Sequence, residues 1–284
     1  MIKITPDEFA LFASQLRALT GIVLDASAGY LLENRLGPLL EELKCATFTE
    51  LYLRIQADPS RALSRRMIDC VVTSETFFFR DGAPFDLVAQ KLLPDLVERR
   101  KGPALNQRIP LRIWSAACST GQEAYTLAMI LREALVDLSR YDLSILGTDI
   151  SEGALARAAA GSYSQIEVSR GLPPEKLARH FTGGPERWIF KEELRRLASF
   201  RPLNLVGDLA GQGLGRFDLI LCRNVAIYFG EAEKTRLFNQ LSTCLAPDGY
   251  LLVGVTESLH GLTDRYVSRH WKGTTYYQLK GAPA

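Results

Sequence analysis

The stretch I-W-S-A-A-C-S-T-G-Q-E, residues 113–123, decides the fold class of this chain. An apolar run leads into small side chains and one glycine, and a helical pattern follows from about Gln122 to residue 136. Small residues and Gly121 let a ligand approach backbone N–H groups at the start of a helix. The stretch is neither a G-x-G-x-x-G fingerprint nor a P-loop. On these residues alone, a ligand-binding turn and a tight turn that binds nothing are equally good interpretations.

The alternation of strand and helix signals continues toward the C-terminus. Further apolar runs lie at 143–146, 217–222 and 251–255, and helical patterns lie at 152–159 and 231–245. Such alternation is typical of βαβ units on a parallel sheet, whose ligands bind at the carboxyl ends of the strands. The alternation breaks between residues 162 and 205, which indicates an insertion.

The N-terminal part has helical signals and no strand signal. Thr5 is followed by a proline and two acids, which predicts a helix start, and leucines then recur at intervals of three and four over 32–43. Gly37-Pro38 predicts a kink or a split in that second helix. We therefore expect a helical domain over 1–75, a linker over 76–110 and an α/β domain over 111–284.

Charge and cysteine content exclude several classes of protein. With 34 Lys+Arg against 32 Asp+Glu the net charge is +2, which predicts no nucleic-acid partner. No run of about 18 apolar residues occurs, so we expect neither export nor membrane insertion. Five cysteines without a C-x-x-C pair disfavour disulfides and structural zinc, and three histidines make a catalytic metal site improbable. These features together predict a cytoplasmic protein without a metal.

Asp149 follows the second apolar run directly. A carboxylate at this position of a parallel sheet accepts hydrogen bonds from a ribose diol, which predicts a nucleoside ligand. It lies 28 residues after Gly121, somewhat beyond the spacing of about 20 in the dinucleotide fingerprint. The alternative is that Asp149 caps the helix that follows.

Two further segments carry polar or aromatic side chains with no evident packing role. Arg223, Asn224 and Tyr228 follow the core strand at 217–222, although Tyr228 also fits ordinary apolar filling under a loop. Three consecutive aromatic residues at 77–79 cannot all face one core from a regular helix, so one of them is expected at a domain junction or a cofactor. Arg80 beside Asp81 also fits a simple surface ion pair.

In order along the chain, five segments resemble the CheR family, chemotaxis receptor glutamate methyltransferases that use S-adenosyl-L-methionine. They are T-S-E-T-F-F-F-R-D at 73–81, I-W-S-A-A-C-S-T-G-Q-E-A-Y-T-L-A-M at 113–129, G-T-D-I-S at 147–151, R-P-L-N-L at 201–205 and F-D-L-I-L-C-R-N-V-A-I-Y-F at 217–229.

The resemblance implies a role for particular residues. Arg80 and Tyr228 would flank the transferred methyl group as the catalytic pair. Arg80 would also contact the methionine part of the cofactor, and Asp149 would bind the ribose hydroxyls. The segment from Cys118 to Glu123 would wrap the methionine and ribose parts. The remaining cofactor contacts that the resemblance implies are Ser74, where the family often has Asn, Thr76, Asn204, Leu205, Cys222 and Arg223.

The resemblance also implies the architecture and the partners. The fold would be a seven-stranded methyltransferase sheet with an all-α N-terminal domain and a small antiparallel β insert at about 177–201, and the cofactor site would begin within 76–110. The substrates would be glutamates in the cytoplasmic domain of methyl-accepting chemotaxis receptors, and the insert would be the place where some members dock a receptor C-terminal peptide. A non-catalytic adaptor that binds S-adenosylmethionine and a nicotinamide-dependent oxidoreductase are the competing functions.

Overall fold

The computed structural model describes residues 2–100 and 108–282. Residues 101–107 of the predicted loop before the α/β domain lie outside the described residues. In the described part, seven strands form a sheet in the order β6-β2-β1-β7-β8-β10-β9. These strands are β1 (Ile109–Ala116), β2 (Tyr141–Asp149), β6 (Ala198–Pro202), β7 (Phe217–Cys222), β8 (Leu245–Val253), β9 (Tyr266–Trp271) and β10 (Thr274–Leu279).

The first five strands in that order run parallel, and β10 is antiparallel to both of its neighbours, β8 and β9. The predicted seven-stranded methyltransferase sheet is therefore confirmed. Strand β7 is buried along its whole length because helices cover both faces of the sheet. The main covering helices are α7 (Gln122–Ala134), α8 (Glu152–Ala160) and α12 (Glu231–Cys244). The carboxyl ends of β1, β2 and β7 consequently lie side by side at one edge.

The predicted all-α N-terminal domain is confirmed. Its helices are α1 (Pro6–Thr20), α2 (Gly29–Glu42), α3 (Phe48–Ala57) and α4 (Ala62–Val71). Thr5 and Glu8 form a reciprocal capping box at the start of α1. The four helices enclose a core of their own, which includes Phe12, Leu36 and Phe48.

Helix α2 continues through Pro38 as one helix, so of the two expected effects, a kink or a split, the split did not occur. Proline removes one intrahelical hydrogen bond. Leu36 on one side and Leu39 and Leu40 on the other are all buried in the domain core. The parts of α2 before and after Pro38 both pack into this core, and this packing offsets the loss of the backbone hydrogen bond.

Much of the segment predicted as a linker is helical. It forms α5 (Ala83–Leu87), a π-helical turn (Val88–Leu92) and α6 (Leu93–Arg100). Leu87, Val88 and Leu92 are buried in the same core as the sheet. These residues therefore pack as part of the α/β unit, and the domain boundaries at 75/76 and 110/111 stay predictions.

The antiparallel insert begins earlier and ends earlier than 177–201. Its sheet has the order β3-β5-β4, with β3 (Ser162–Tyr163), β4 (Phe181–Gly184) and β5 (Arg187–Phe190). The helices α9 (Gln165–Ser169), α10 (Pro174–His180) and α11 (Glu192–Arg195) connect these strands to the rest. Residues 198–201 instead begin β6, which pairs with β2 at the edge of the main sheet. Strand β6 is short and only partly buried, so it lacks the apolar run that would mark it in the sequence.

Candidate active site

A cavity opens at the carboxyl ends of β1, β2 and β7, between the sheet and the N-terminal domain. It brings together residues from both the N-terminal domain and the α/β unit. The predicted site residues that line it are Thr76, Arg80, Cys118, Glu123, Asp149, Asn204, Leu205, Arg223 and Tyr228.

The turn after β1 has a backbone shape that opens it toward this cavity. Ala117 and Ser119 have φ values of 63° and 51°, in the left-handed region that non-glycine residues avoid. Gly121 has φ 93°, and a Cβ atom there would lie 2.9 Å from Cβ of Ala158. Glycine is therefore required by both conformation and space. Cys118 holds the turn to β2 by donating its N–H to the carbonyl of Thr148 at 2.9 Å.

Asp149 ends β2 with its carboxylate beside this turn. One carboxylate oxygen accepts from the N–H of Ser119 at 2.9 Å, and the other accepts from the N–H of Ser151 at 3.0 Å. Burial raises the pKa of Asp149, and these backbone donors oppose that rise. The N-cap of α8 is Ser151, so the capping alternative for Asp149 is wrong. A carboxylate that lines the cavity with lone pairs to spare can accept further hydroxyl donors.

Arg223, directly after β7, is the centre of an ion cluster beneath the cavity. Its guanidinium donates to Oε2 of Glu123 at 3.0 Å and to Oδ2 of Asp81 at 2.7 Å. Glu123 also accepts from the hydroxyl of Ser115 at 2.7 Å. The Arg223 side chain is 2% exposed, so its charge is compensated inside the protein. The sequence suggested a surface ion pair between Arg80 and Asp81. In the structure Asp81 instead forms its ion pair with Arg223.

Arg80 takes another position at the same cavity. Its Nη1 atom donates to the carbonyl of Glu75 at 3.0 Å, and its guanidinium lies 5.7 Å from the ring centre of Phe77. Phe78 is fully buried in the core of the α/β unit, whereas Phe77 lines the cavity. We expected one of the three aromatic residues to lie at a domain junction or a cofactor, and Phe77 lies at the cavity between the two domains.

Tyr228 lies in a short helical turn after β7 and is 37% exposed. Its carbonyl accepts from the N–H of Val23 at 2.9 Å, and Ile22 forms an antiparallel bridge with Phe229. These bonds attach the segment after α1 to the loop that carries Tyr228. The N-terminal domain thereby supplies one wall of the cavity.

The remaining predicted cofactor contacts differ in whether they line the cavity. Asn204 donates from Nδ2 to the carbonyl of Leu19 at 2.7 Å, so its side chain also fastens the N-terminal domain. Leu205 is buried at the cavity wall. Two predicted cofactor contacts are not among the residues that line the cavity. Ser74 instead accepts from the Ser119 hydroxyl through its carbonyl at 2.9 Å, and Cys222 lies buried in the core on one side of β7.

Sequence reasoning missed the contribution of the N-terminal domain to the cavity wall. Thr20, Ile22, Val23, Leu24 and Leu31 all line it. The local signal at this point is Gly21, which ends α1 with φ 74° and marks only a helix end. Nothing in the spacing of these residues indicates a ligand wall.

The residues present fit S-adenosylmethionine. A nucleoside needs a carboxylate for its ribose diol and apolar surface for its base, and Asp149 lines the cavity with Ile150 and Leu203. The positive-φ turn at 117–121 leaves room for close approach to the backbone. Among the described residues no three His, Cys, Asp or Glu side chains are placed to hold a metal ion. No helix in those ranges is long and apolar enough to span a membrane.

Comparison with known proteins gives consistent results across the chain. Residues 74–276 match the family model described as "CheR methyltransferase, SAM binding domain", and residues 7–72 match "CheR methyltransferase, all-alpha domain". The chain is 39% identical to the chemotaxis protein methyltransferase of Vibrio parahaemolyticus, covering 98% of this chain and 99% of that protein. It is 40% identical to chemotaxis protein methyltransferase 1 of Pseudomonas aeruginosa, covering 91% of this chain and 93% of that protein. The chain therefore belongs to the CheR family of S-adenosylmethionine-dependent methyltransferases.

Proposed function

We propose that this protein transfers a methyl group from S-adenosylmethionine to glutamate side-chain carboxylates of chemotaxis receptors and forms glutamyl methyl esters. The observation that carries the proposal is the cavity itself. It joins a buried carboxylate at the end of β2 to an arginine and a tyrosine contributed by two distant segments. S-adenosylmethionine supplies a methyl group already activated on a sulfonium sulfur.

The cofactor contacts follow from the cavity wall. Asp149 accepts hydrogen bonds from the ribose hydroxyls, because its two oxygens retain acceptor capacity beside their backbone donors. Leu205 and Asn204 flank the adenine, and the turn from Cys118 to Glu123 encloses the ribose and methionine parts. Thr76 completes this wall. Arg223 and Glu123 shape the wall as members of the ion cluster that also contains Asp81.

A glutamate acceptor requires alignment more than deprotonation. Its reference pKa is about 4.3, so at neutral pH it is already an anion. None of the three histidines, all within the described residues, lines the cavity, which suits a reaction without a histidine base. Arg80 holds the acceptor carboxylate by charge, and Tyr228 limits water at the reacting atoms. Together they set the acceptor oxygen in line with the methyl group.

The partner is the cytoplasmic domain of a methyl-accepting chemotaxis receptor, and the site of action is the cytoplasm. The three-stranded insert is the proposed place for a receptor C-terminal peptide. Its outer strand β4 pairs with β5 on one side only, which leaves an edge that can accept another strand.

The test is methyl transfer to purified receptor cytoplasmic domains. S-adenosylmethionine with a radiolabelled methyl group is incubated with the protein and a panel of such domains. The labelled receptor domains are then treated with mild alkali. We expect incorporation that alkali releases as methanol, as for an ester. Cofactor binding without incorporation into any receptor would instead favour the adaptor, and binding of NAD(H) in a parallel titration would favour an oxidoreductase.

A further inference from the structure

Glu257 lies outside the cavity wall, in the loop after β8, yet its carboxylate engages the segment that carries Tyr228. Oε2 accepts from the N–H of Asn224 at 2.8 Å, and Oε1 accepts from the N–H of Ile227 at 3.2 Å. The same Oε2 accepts from the N–H of Gly254 at 2.6 Å. One side chain therefore satisfies three backbone donors on two loops.

These bonds hold a backbone conformation that is unfavourable by itself. Asn224 has φ 56°, in the left-handed region, directly between Arg223 and the turn of Tyr228. This region is less favourable for a residue with a Cβ atom than for glycine, and the conformation persists when surrounding contacts fix it. The carboxylate of Glu257 supplies such a contact at the strained residue itself.

Gly254 shows that space is kept for this carboxylate. A Cβ atom at Gly254 would lie 2.6 Å from Oε2 of Glu257 and 2.9 Å from Nδ2 of Asn224. The N–H of Glu257 also donates back to the carbonyl of Gly254 at 2.9 Å, which closes a tight turn around the side chain. Any residue larger than glycine would push the carboxylate away from Asn224.

We infer that Glu257 is a positioning residue that fixes the loop from Asn224 to Tyr228 and thereby the orientation of Tyr228 toward the acceptor. The inference rests on the proposed role of Tyr228 in methyl transfer. Arg223 is held independently by Glu123 and Asp81, so the cofactor side of the cavity keeps its shape without Glu257. Loss of Glu257 should therefore lower kcat more than cofactor affinity.

The first test needs no methyl acceptor. Hydrogen exchange of the whole protein is compared between wild type, Glu257→Ala and Glu257→Gln, with exchange followed at the amides of Asn224 and Ile227. We expect faster exchange in the alanine variant and an intermediate rate in the glutamine variant, which keeps one acceptor oxygen. Glu175→Ala, at an exposed glutamate on α10, is the matched control and should leave these amides unchanged. Unchanged exchange in Glu257→Ala would overturn the inference.

The second test separates positioning of Tyr228 from general support of the fold. A displacement of about 1 Å at a reacting group costs up to about 100-fold, so kcat of Glu257→Ala should fall by about 10- to 100-fold. The dissociation constant for S-adenosylmethionine should stay within about 3-fold, since Glu257 lies outside the cavity wall. Gly254→Ala, which keeps the carboxylate but displaces it, should reproduce the loss.

A double-mutant cycle with Tyr228→Ala completes the test. If Glu257 acts through Tyr228, Tyr228→Ala should lower kcat in the wild-type background and have little further effect in Glu257→Ala. Additive effects would contradict the positioning role. A wild-type protein that methylates no receptor would remove the proposed function instead, while the exchange measurement would still decide whether Glu257 fixes the loop.

Discussion

Arg223 places its Nη1 atom 3.0 Å from Oε2 of Glu123, and this pair joins the end of β7 to the first turn of α7. The contact crosses the carboxyl edge of the sheet directly under the cavity. Since the guanidinium is almost inaccessible to water, the carboxylate compensates a charge that solvent does not reach. The pair therefore contributes both to stability and to the shape of the cofactor site.

Removing Glu123 should destabilise the protein strongly. Glu123→Ala leaves Arg223 with Asp81 as its remaining carboxylate, and we expect a loss of about 2–4 kcal/mol in the free energy of unfolding. Glu123→Gln keeps an acceptor oxygen and should lose less. Urea unfolding measures both. Glu152→Ala is the control, because Glu152 and Arg65 form an exposed pair at 3.6 Å that contributes below about 1 kcal/mol. Equal losses at Glu123 and Glu152 would contradict the argument.

Asp149→Ala should weaken binding of S-adenosylmethionine. Hydrogen bonds to a charged group contribute about 1.5–3 kcal/mol, which corresponds to about 10- to 100-fold in the dissociation constant. Isothermal titration calorimetry gives the comparison. Asp142→Ala, at an exposed position near the other end of β2, is the matched control and should bind as wild type. Unchanged affinity in Asp149→Ala would count against the ribose assignment.

Arg80→Ala should reduce kcat by about 100-fold or more while leaving the fold intact, because the charge that holds the acceptor carboxylate is lost. Arg170 is a close match for a control. Its guanidinium lies 4.5 Å from the ring centre of Phe77, on which Arg80 also stacks, but it does not line the cavity. Arg170→Ala should retain most of the turnover. Thermal unfolding of both variants checks stability, and normal turnover in Arg80→Ala would remove the proposed role.

Gly21→Ala should loosen the N-terminal domain from the cavity. Gly21 has φ 74°, and a Cβ atom would lie 2.6 Å from Cγ1 of Val206. Steric conflict and backbone strain should together cost about 1–3 kcal/mol and weaken cofactor binding. Unfolding and calorimetry measure the two effects. Gly37→Ala, in the middle of α2, should change the free energy of unfolding by less than about 1 kcal/mol, because the higher helix propensity of alanine is opposed by contact of its Cβ with Pro38. Similar outcomes for the two variants would refute the steric argument.

His180 should make stability depend on pH. Its side chain is buried with Nε2 2.8 Å from Oε1 of Glu133, and burial lowers the pKa of His180 despite that carboxylate. A histidine whose pKa is lowered by folding favours the folded state above its unfolded pKa of about 6.5, and this contribution is lost as pH falls through the folded pKa. Denaturant unfolding between pH 7 and 5 should show the decline. His180→Gln should flatten this decline, whereas the exposed His260→Gln should retain it.

The segments that the sequence predicted well are those whose structure depends on nearby residues. The apolar run at 217–222 is the whole of β7, and Gly121 precedes α7 as expected from the small residues around it. A strand that is buried on both faces needs a continuous apolar run, and a helix that starts at a tight turn needs a glycine. The capping box of α1 is equally local. These features follow from period and turn chemistry alone.

Pairing between distant segments was not predictable from the sequence. Strand β6 joins the main sheet by pairing with β2, although its own residues gave no strand signal. Asp81 forms an ion pair with Arg223 rather than with its neighbour Arg80, whose guanidinium lies near the ring of Phe77. The residues after α1 are held at the cavity by bonds such as that from the N–H of Val23 to the carbonyl of Tyr228. In each case the partner lies far along the chain.

The sequence by itself determined the main alternation of strands and helices in the α/β domain, the turn at 117–121 and the family to which the motifs belong, because these depend on side-chain period and local backbone preference. Only the tertiary structure decided which carboxylates neutralise Arg223, which wall the N-terminal domain provides and how Glu257 fixes the Tyr228 loop. Such choices are made when burial forces each charge and each backbone donor to find a partner, and the available partners depend on the packed fold.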